Sequence, residues 1–277
     1  MQGTLTFMGT GTSMGVPTLG CTCTVCTSTN PHDRRLRPSV LVRWSESGES
    51  DAESAQERAV VIDTGPDFRE QALRARLRRV DAVFYTHPHA DHILGMDDLR
   101  PLSFKVARES GPIPLYASDE TARVLKQIYD YTFSPAATYP MRARVKLEPL
   151  SDNLEVHGVE FVRVPVMHGD MEISGFRFGN AAYLTDVSAI PESSFALLEG
   201  LEHLALSALR HKPHPNHATV EQAVGWAGRI GARHTWLTHI AHELGHDETN
   251  RMLPEGIQLA YDGLTVPVNM KQASVER

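Results

Sequence analysis

Three histidines and an aspartate fall within six residues in Thr86-His87-Pro88-His89-Ala90-Asp91-His92, directly after the apolar run Val80–Tyr85. Neutral imidazoles and a carboxylate are ligands that borderline-soft divalent ions such as zinc accept. Four such groups this close along the chain cannot close on one ion without strain. His87 and His89 are therefore expected at one ion, and Asp91 and His92 at a second. Two divalent ions make a water-derived nucleophile near neutral pH and steady both ends of an ester undergoing displacement.

A second cluster holds all the cysteines of the chain, Cys21, Cys23 and Cys26. An odd, clustered set is a poor disulfide framework and a good metal site. Cys-x-Cys-x-x-Cys offers three thiolates and asks for a fourth ligand, most simply a histidine, to complete a tetrahedral structural zinc. The loop that carries it is placed at about residues 20–38.

These groups need a scaffold, and the apolar pattern supplies one of the α/β class. Strands are expected at Leu5–Met8, Val40–Trp44, Ala59–Ile62, Val80–Tyr85, Phe161–Val166, Ala181–Leu184, Leu204–Leu206 and Thr235–Thr238. Helices are expected at Phe68–Leu77, Asp119–Tyr129, Val220–Ile230 and Glu243–Leu253. In the third of these, apolar residues at 220, 223, 224, 227 and 230 form a one-sided stripe, with Thr219 placed to cap it. No internal repeat is visible. Residues 45–57 carry five acids, no base and no large apolar side chain, and are expected to form a mobile hairpin insertion between two strands. Among residues 101–145, Phe104, Tyr116, Tyr129, Tyr131, Phe133 and Tyr139 are expected to pack a core.

Composition narrows the function. With 277 residues, 41% hydrophobic and 22% charged, the chain reads as an ordinary globular protein. The net charge of −7 provides no global field for nucleic acid. Arg34, Arg35 and Arg37 remain open as a local basic groove or a solvated loop. No apolar run reaches the length of about 20 residues that a membrane span needs, and no signal-peptide pattern is seen, so a cytoplasmic location is expected.

Together with Phe7-Met8-Gly9-Thr10-Gly11-Thr12 near one end and Tyr261-Asp262-Gly263 near the other, these motifs resemble those of metallo-β-lactamase superfamily hydrolases. The likeness is strongest to the phosphodiesterase branch that acts on phosphoribosyl 1,2-cyclic phosphate. The resemblance implies one four-layer αββα sandwich over residues 1–277. It assigns His87, His89 and His168 to one ion and Asp91, His92 and His239 to the other. Asp186 then lies between the ions as a shared ligand, with a water or hydroxide in the second bridging place and the ions about 3.5–4 Å apart. Zinc or manganese are the expected ions there. His242, three residues after His239, would complete the structural zinc of the cysteines. His217 matches the histidine that acts as general acid or phosphate clamp; His211 and His214 receive no role. Asp91 could also orient the attacking water, and Asp63 resembles an early aspartate that supports the ligand loop from behind. Gly9-Thr10-Gly11-Thr12 lacks the lysine and following helix of a phosphate-binding loop and is read as a turn.

The expected activity is hydrolysis of a small cyclic phosphate or nucleotide-like phosphodiester by a homodimer, with neither a nucleic-acid polymer nor a membrane as partner. Alternatives within the superfamily are a tRNA 3′-processing endoribonuclease and a thioester hydrolase. A third is a non-catalytic accessory protein like the relative in pyrroloquinoline quinone biosynthesis. Antibiotic hydrolysis is disfavoured, because such relatives usually carry cysteine where Asp186 stands.

Overall fold

The computed structural model describes residues 1–45, 57–136 and 138–270, so the interior of the expected acidic insertion lies outside the described residues. The strands in chain order are β1 (Gln2–Gly9), β2 (Ser39–Ser45), β3 (Glu57–Ile62), β4 (Ala82–Phe84), β5 (Ile113–Ala117), β6 (Val145–Pro149) and β7 (Asn153–Val156). They continue with β8 (Val159–His168), β9 (Met171–Phe178), β10 (Ala181–Leu184), β11 (His203–Ser207), β12 (His234–Thr238), β13 (Ile257–Leu259) and β14 (Thr265–Asn269). Two sheets result, ordered β14-β1-β2-β3-β4-β5-β6 and β13-β12-β11-β10-β9-β8-β7.

Both sheets follow one plan. In the first, β14, β1, β2 and β3 pair antiparallel, and β3 to β6 pair parallel. In the second, β7 to β10 pair antiparallel and β10 to β13 parallel. This duplication of topology leaves no trace as a sequence repeat, since a pairing plan constrains polarity and turns more than residue identity. Ser45 pairs with Glu57, so the ends of the acidic insertion do close an antiparallel pair.

Period-two alternation builds the layers. Val60 and Ile62 point inward to a core shared with Phe161, Phe176, Phe178 and Tyr183 of the other sheet. Ala59 and Val61 point outward to Phe68 of α1 (Phe68–Arg74), Ile93 of α2 (Ala90–Ile93), Val106 of α3 (Arg100–Glu109) and Leu125 of α4 (Asp119–Ile128). On the far side, Val164, Ala182, Leu184 and Leu206 meet Val220, Ala223 and Ala227 of the helix Val220–Ile230. These three cores between successive layers make the four-layer αββα sandwich.

That long helix matches its expected bounds; Thr219 caps it with a complete capping box and Gly231 ends it in the left-handed region. The expected helix at 243–253 begins later, at His246, because the chain from His239 to Gly245 is held in loops. β9 escaped the pattern because Ser174 and Gly175 interrupt it. A Cβ at Gly175 would stand 2.2 Å from Leu184 Cδ2, so sheet packing demands the glycine. Tyr129 is buried and Tyr116 and Phe133 pack on the cores, but Tyr131 and Tyr139 are exposed, which corrects the expectation of core packing for those two. Among the described residues, no helix is long and apolar enough to cross a membrane.

Neither expectation for the arginines holds for Arg35. Arg35 is 1% exposed and donates to the carbonyls of Ala241 (3.2 Å) and Leu244 (2.8 Å) and to Asp33 (3.3 Å). Arg37 forms a two-pronged pair with Asp67. Arg35→Ala would remove the counter-charge of the buried Asp33 carboxylate and the donor to the Leu244 carbonyl, so it is expected to lower unfolding free energy by about 3–5 kcal/mol in urea titrations.

Candidate metal centre

Parallel strands of both sheets end at one rim, where ligands gather in layered α/β folds. Asp63 follows β3, the His-rich loop follows β4, Asp186 follows β10 and His239 follows β12. Asp63, Asp186 and His239 all have positive φ, at 65°, 58° and 56°. Aspartate and histidine tolerate that region better than most residues, and here it turns the chain sharply off each strand.

Asp63 is fully buried. Its Oδ1 accepts the Thr86 backbone N–H (2.9 Å), and its Oδ2 accepts the Thr86 hydroxyl (2.8 Å) and His92 Nδ1–H (2.7 Å). With its hydrogen committed to Asp63, the Thr86 hydroxyl can only accept from His87 Nδ1, at 2.9 Å. His168 Nδ1 donates to the Asp186 carbonyl at 2.8 Å. Three imidazoles thus carry hydrogen on Nδ1 and turn Nε2 as the ligand atom on their other side.

The ligand atoms of His87, His89 and His168 lie within 4.8 Å of one another, and those of Asp91, His92, Asp186 and His239 form a second such set. Nε2 of His87, His92 and His239 is buried with no hydrogen-bond partner. Asp186 Oδ2 stands 3.2 Å from His92 Nε2 and its Oδ1 3.0 Å from His239 Nε2; Asp91 Oδ2 is 3.3 Å and 3.8 Å from the same two nitrogens. Buried lone pairs converging with carboxylates are stable only around cations, so this donor set fits divalent ions.

The two sets differ electrostatically. Burial opposes charge on His239, but Asp186 and Asp91 outweigh it and raise its pKa to about 9. His92 is raised in the same way, burial being overcome by Asp91, Asp186 and Asp63. Burial also acts against ionising Asp91 and Asp186, yet the neighbouring histidines hold both well below the usual carboxylate range. In the other set, burial and then His92 push His87 down, and burial and then His168 lower His89.

His217 stacks on His239 with ring centroids 4.8 Å apart and stands 4.8 Å from His168. Its Nδ1 is buried 3.8 Å from Asp186 Oδ1, and with His168 and Asp186 it forms a third ligand-capable group. Burial and His239 lower its pKa to about 3, so it is neutral at pH 7. His211 faces outward and pairs with Glu221 at 2.6 Å. Sequence reasoning passed over Thr86 and Thr185, whose hydroxyl donates to Asp186 Oδ2 at 2.7 Å. A signal was available: threonine directly precedes His87, Asp186 and His239.

The cysteines and His242 also meet. His242 Nδ1 lies 3.2, 3.5 and 3.5 Å from Sγ of Cys21, Cys23 and Cys26. Zn–S bonds of about 2.3 Å and a Zn–N bond of about 2.0–2.1 Å set a tetrahedral S···N edge of roughly 3.6 Å, so the spacing fits zinc. The backbone N–H of Cys26 lowers the Cys23 thiol to about 6, whereas burial raises Cys26 to about 11. The Gly9–Thr12 segment is extended, which corrects the expected turn: Gly9 ends β1 and Gly11 bridges to Ile240, while Asp262 accepts Thr10 N–H at 2.9 Å, the Thr10 hydroxyl at 2.7 Å and Leu36 N–H at 2.8 Å.

Asp63→Ala frees both His92 and Thr86, and is expected to weaken active-site metal binding by about 10–100-fold in chelator competition. In the metal-free protein His239 is protonated below pH about 9. Ion binding must therefore expel a proton there, and affinity should fall as pH drops below that value, with proton release visible as buffer-dependent calorimetric heat.

A family model described as a beta-lactamase superfamily domain matches residues 58–240. A crystal structure described as a new diphosphatase from the PhnP family has a TM-score of 0.86 and 52% identity, covering 96% of this chain and 97% of its own. The Zn(2+)-bound PqqB of Methylobacterium extorquens has the same fold, with a TM-score of 0.68 at 18% identity over 95% of this chain and 99% of its own. An octanoyltransferase of Porphyromonas gingivalis (strain ATCC BAA-308 / W83) is 35% identical over 268 residues, 95% of this chain and 51% of that protein. The chain spans about half the length of the curated relatives it matches. Its layered fold, its converging histidines and aspartates and these matches agree: the chain belongs to the metallo-β-lactamase superfamily, within the PhnP family.

Proposed function

We propose that the protein is a dinuclear metal-dependent phosphodiesterase acting on a small phosphoric diester, either a cyclic phosphate, a nucleotide-like diester or a diester of diphosphate. The last class is added because a relative at 52% identity is described as a diphosphatase. One residue carries the reading. Asp186 directs Oδ1 to His239 and Oδ2 to His92, while its main-chain oxygen orients His168. An Asp186 carboxylate oxygen also lies within 4.8 Å of a His168 ring nitrogen, so the residue stands between the two ligand sets.

His87, His89, His168 and Asp186 would hold one ion, and Asp91, His92, His239 and Asp186 the other, zinc or manganese suiting both sets. When bound, such a pair supplies Lewis acidity toward the phosphoryl oxygens and a nucleophilic water at neutral pH. The chain's own part is orientation. Asp63, Thr86 and the Asp186 carbonyl fix the ring planes of His92, His87 and His168. Asp91, held ionised by its histidine neighbours, can accept a proton from attacking water. His217, neutral and wedged between His168 and His239, can donate its N–H to a phosphoryl or leaving oxygen. His89 is the exposed member of its set and marks the side from which substrate enters.

The complete ligand set weighs against an accessory role of the PqqB kind. Arg35 and Arg37, engaged within the protein, weigh against an RNA-gripping groove at residues 34–37. A homodimer, a structural zinc on the cysteines with His242, a cytoplasmic location and a small-molecule substrate complete the proposal.

Purified protein loaded with manganese or zinc should be assayed on phosphoribosyl 1,2-cyclic phosphate, cyclic nucleotides, an aryl phosphodiester, a dinucleoside diphosphate, a thioester and precursor tRNA. Turnover of small diesters that falls at least about a hundredfold in His89→Ala is expected. Inactivity on every phosphoric ester, with both ions bound, would sink the proposal. His217→Ala should lower kcat by about a hundredfold and keep its metal; loss of an ion instead would make His217 a ligand.

A further inference from the structure

His214 has no part in the ligand sets, yet the fold spends several constraints on it. It lies in Lys212-Pro213-His214-Pro215-Asn216-His217, a tight excursion whose base is closed by Leu209 N–H to Ala218 O (3.0 Å) and by Ala218 N–H to Val187 O (2.7 Å). His214 and His217 face each other as an antiparallel bridge, and their ring centroids are 4.9 Å apart. Prolines on both sides of His214 restrict the backbone, so the ring is presented with little freedom to lose.

Its tautomer is also set. The Asn216 backbone N–H donates to His214 Nδ1 at 3.2 Å, and a nitrogen that accepts carries no hydrogen. The hydrogen of the neutral ring therefore sits on Nε2. No hydrogen bond to that nitrogen occurs among the described residues, and it is not among the buried unpartnered atoms, so it is open to solvent. The rings form a row: His168 and His239 beside the metal-ligating carboxylates, His217 outside them, and His214 one ring further out. His211, by contrast, is exposed and occupied by Glu221.

We propose that His214 is a positioning residue, donating Nε2–H to the phosphoryl group that neighbours the one attacked, which makes the site selective for diesters of diphosphate over simple phosphodiesters. This rests on the phosphodiesterase reading and narrows its substrate classes to one by naming the residue that selects it. The attacked phosphorus lies over the ligand sets with His217 beside it; in a P–O–P substrate the second phosphoryl oxygens then reach the next donor in the row. A simple phosphodiester places only its alcohol portion there and makes no use of the donor.

The test compares wild type with His214→Ala, His214→Gln, which keeps an N–H near the Nε2 position, and His211→Ala as a neighbouring control. Two readouts are taken on metal-loaded protein: kcat and KM on a dinucleoside diphosphate and on an aryl phosphodiester, and calorimetric affinity for inorganic pyrophosphate against orthophosphate. Loss of one hydrogen bond to a charged oxygen predicts about a tenfold rise in diphosphate KM and a matching loss of pyrophosphate affinity in His214→Ala. Kinetics on the aryl diester, orthophosphate affinity and metal content should stay unchanged, His214→Gln should regain most of the loss, and His211→Ala should match wild type. Equal losses on both substrates, loss of metal, or unchanged pyrophosphate affinity would overturn the assignment. The pyrophosphate arm needs no turnover, so it decides the role of His214 even if no phosphoric ester proves to be a substrate.

Discussion

The Asp63 carboxylate is the contact through which the fold becomes a site. It has no solvent exposure and faces three donors, the Thr86 N–H, the Thr86 hydroxyl and His92 Nδ1–H. Burial raises its pKa, and His92 and Thr86 oppose that shift. A ring of donors with no acceptor requires the ionised form, whatever burial exacts. Parallel pairing of β3 with β4 brings Asp63 beside Thr86, so sheet register sets the tautomers of two histidines on the following loop. Two glycines make the approach possible. A Cβ at Gly65 would stand 2.0 Å from the Asp91 carbonyl, and one at Gly95 2.0 Å from the Gly65 carbonyl. The support loop lies directly on α2, with Thr64 N–H bonded to the His92 carbonyl at 2.8 Å.

From that contact outward, the two ligand sets part in character. One is made of three imidazoles, the other of two carboxylates and two imidazoles. The carboxylates hold the second set's histidines cationic when no ion is bound, and burial holds His87 in the first set neutral. An ion entering the first set therefore meets free lone pairs, whereas an ion entering the second must displace protons. Asp186 couples them, since it touches His92 and His239 with its carboxylate and His168 with its carbonyl. A shift of this residue moves both halves together.

How much of this the chain discloses in advance depends on whether a feature is local. His87, His89, Asp91 and His92 are legible because all lie on one short loop, and their expected division into two pairs is the grouping seen in space. Val220–Ile230 is legible because stripe, cap and terminal glycine agree. The role of Thr86 is not legible, because a threonine beside a histidine is unremarkable until β3 brings Asp63 to it. Arg35 reads as a surface cation among arginines; only the distant loop at residues 241–244 makes it a buried tie. The αββα layering follows from residue pattern only as an α/β class. Strands such as β9, interrupted at Gly175, have to be paired before they can be seen.

His239 shows why the cysteine loop stands so near the metal centre. Its Nδ1, on the side away from Asp186, lacks a hydrogen-bond partner, so no acceptor orients it from behind as Asp63 orients His92. Its backbone must do that work instead. Ile240 N–H donates to the Thr10 carbonyl at 2.8 Å and Thr12 N–H to the Ile240 carbonyl at 3.1 Å, which pins the residue after His239 to the segment that follows β1. That segment is fastened to Asp262, and the loop beyond is fastened by Arg35 to Ala241 and Leu244. His242 then meets three sulfurs from the loop after the same segment. A ligand with positive φ and no support behind its ring keeps its direction only if the chain on its far side cannot swing. The zinc-shaped cysteine cluster, the buried arginine and the Asp262 clamp all act on that short stretch, so they belong to the metal centre mechanically although none of them faces it.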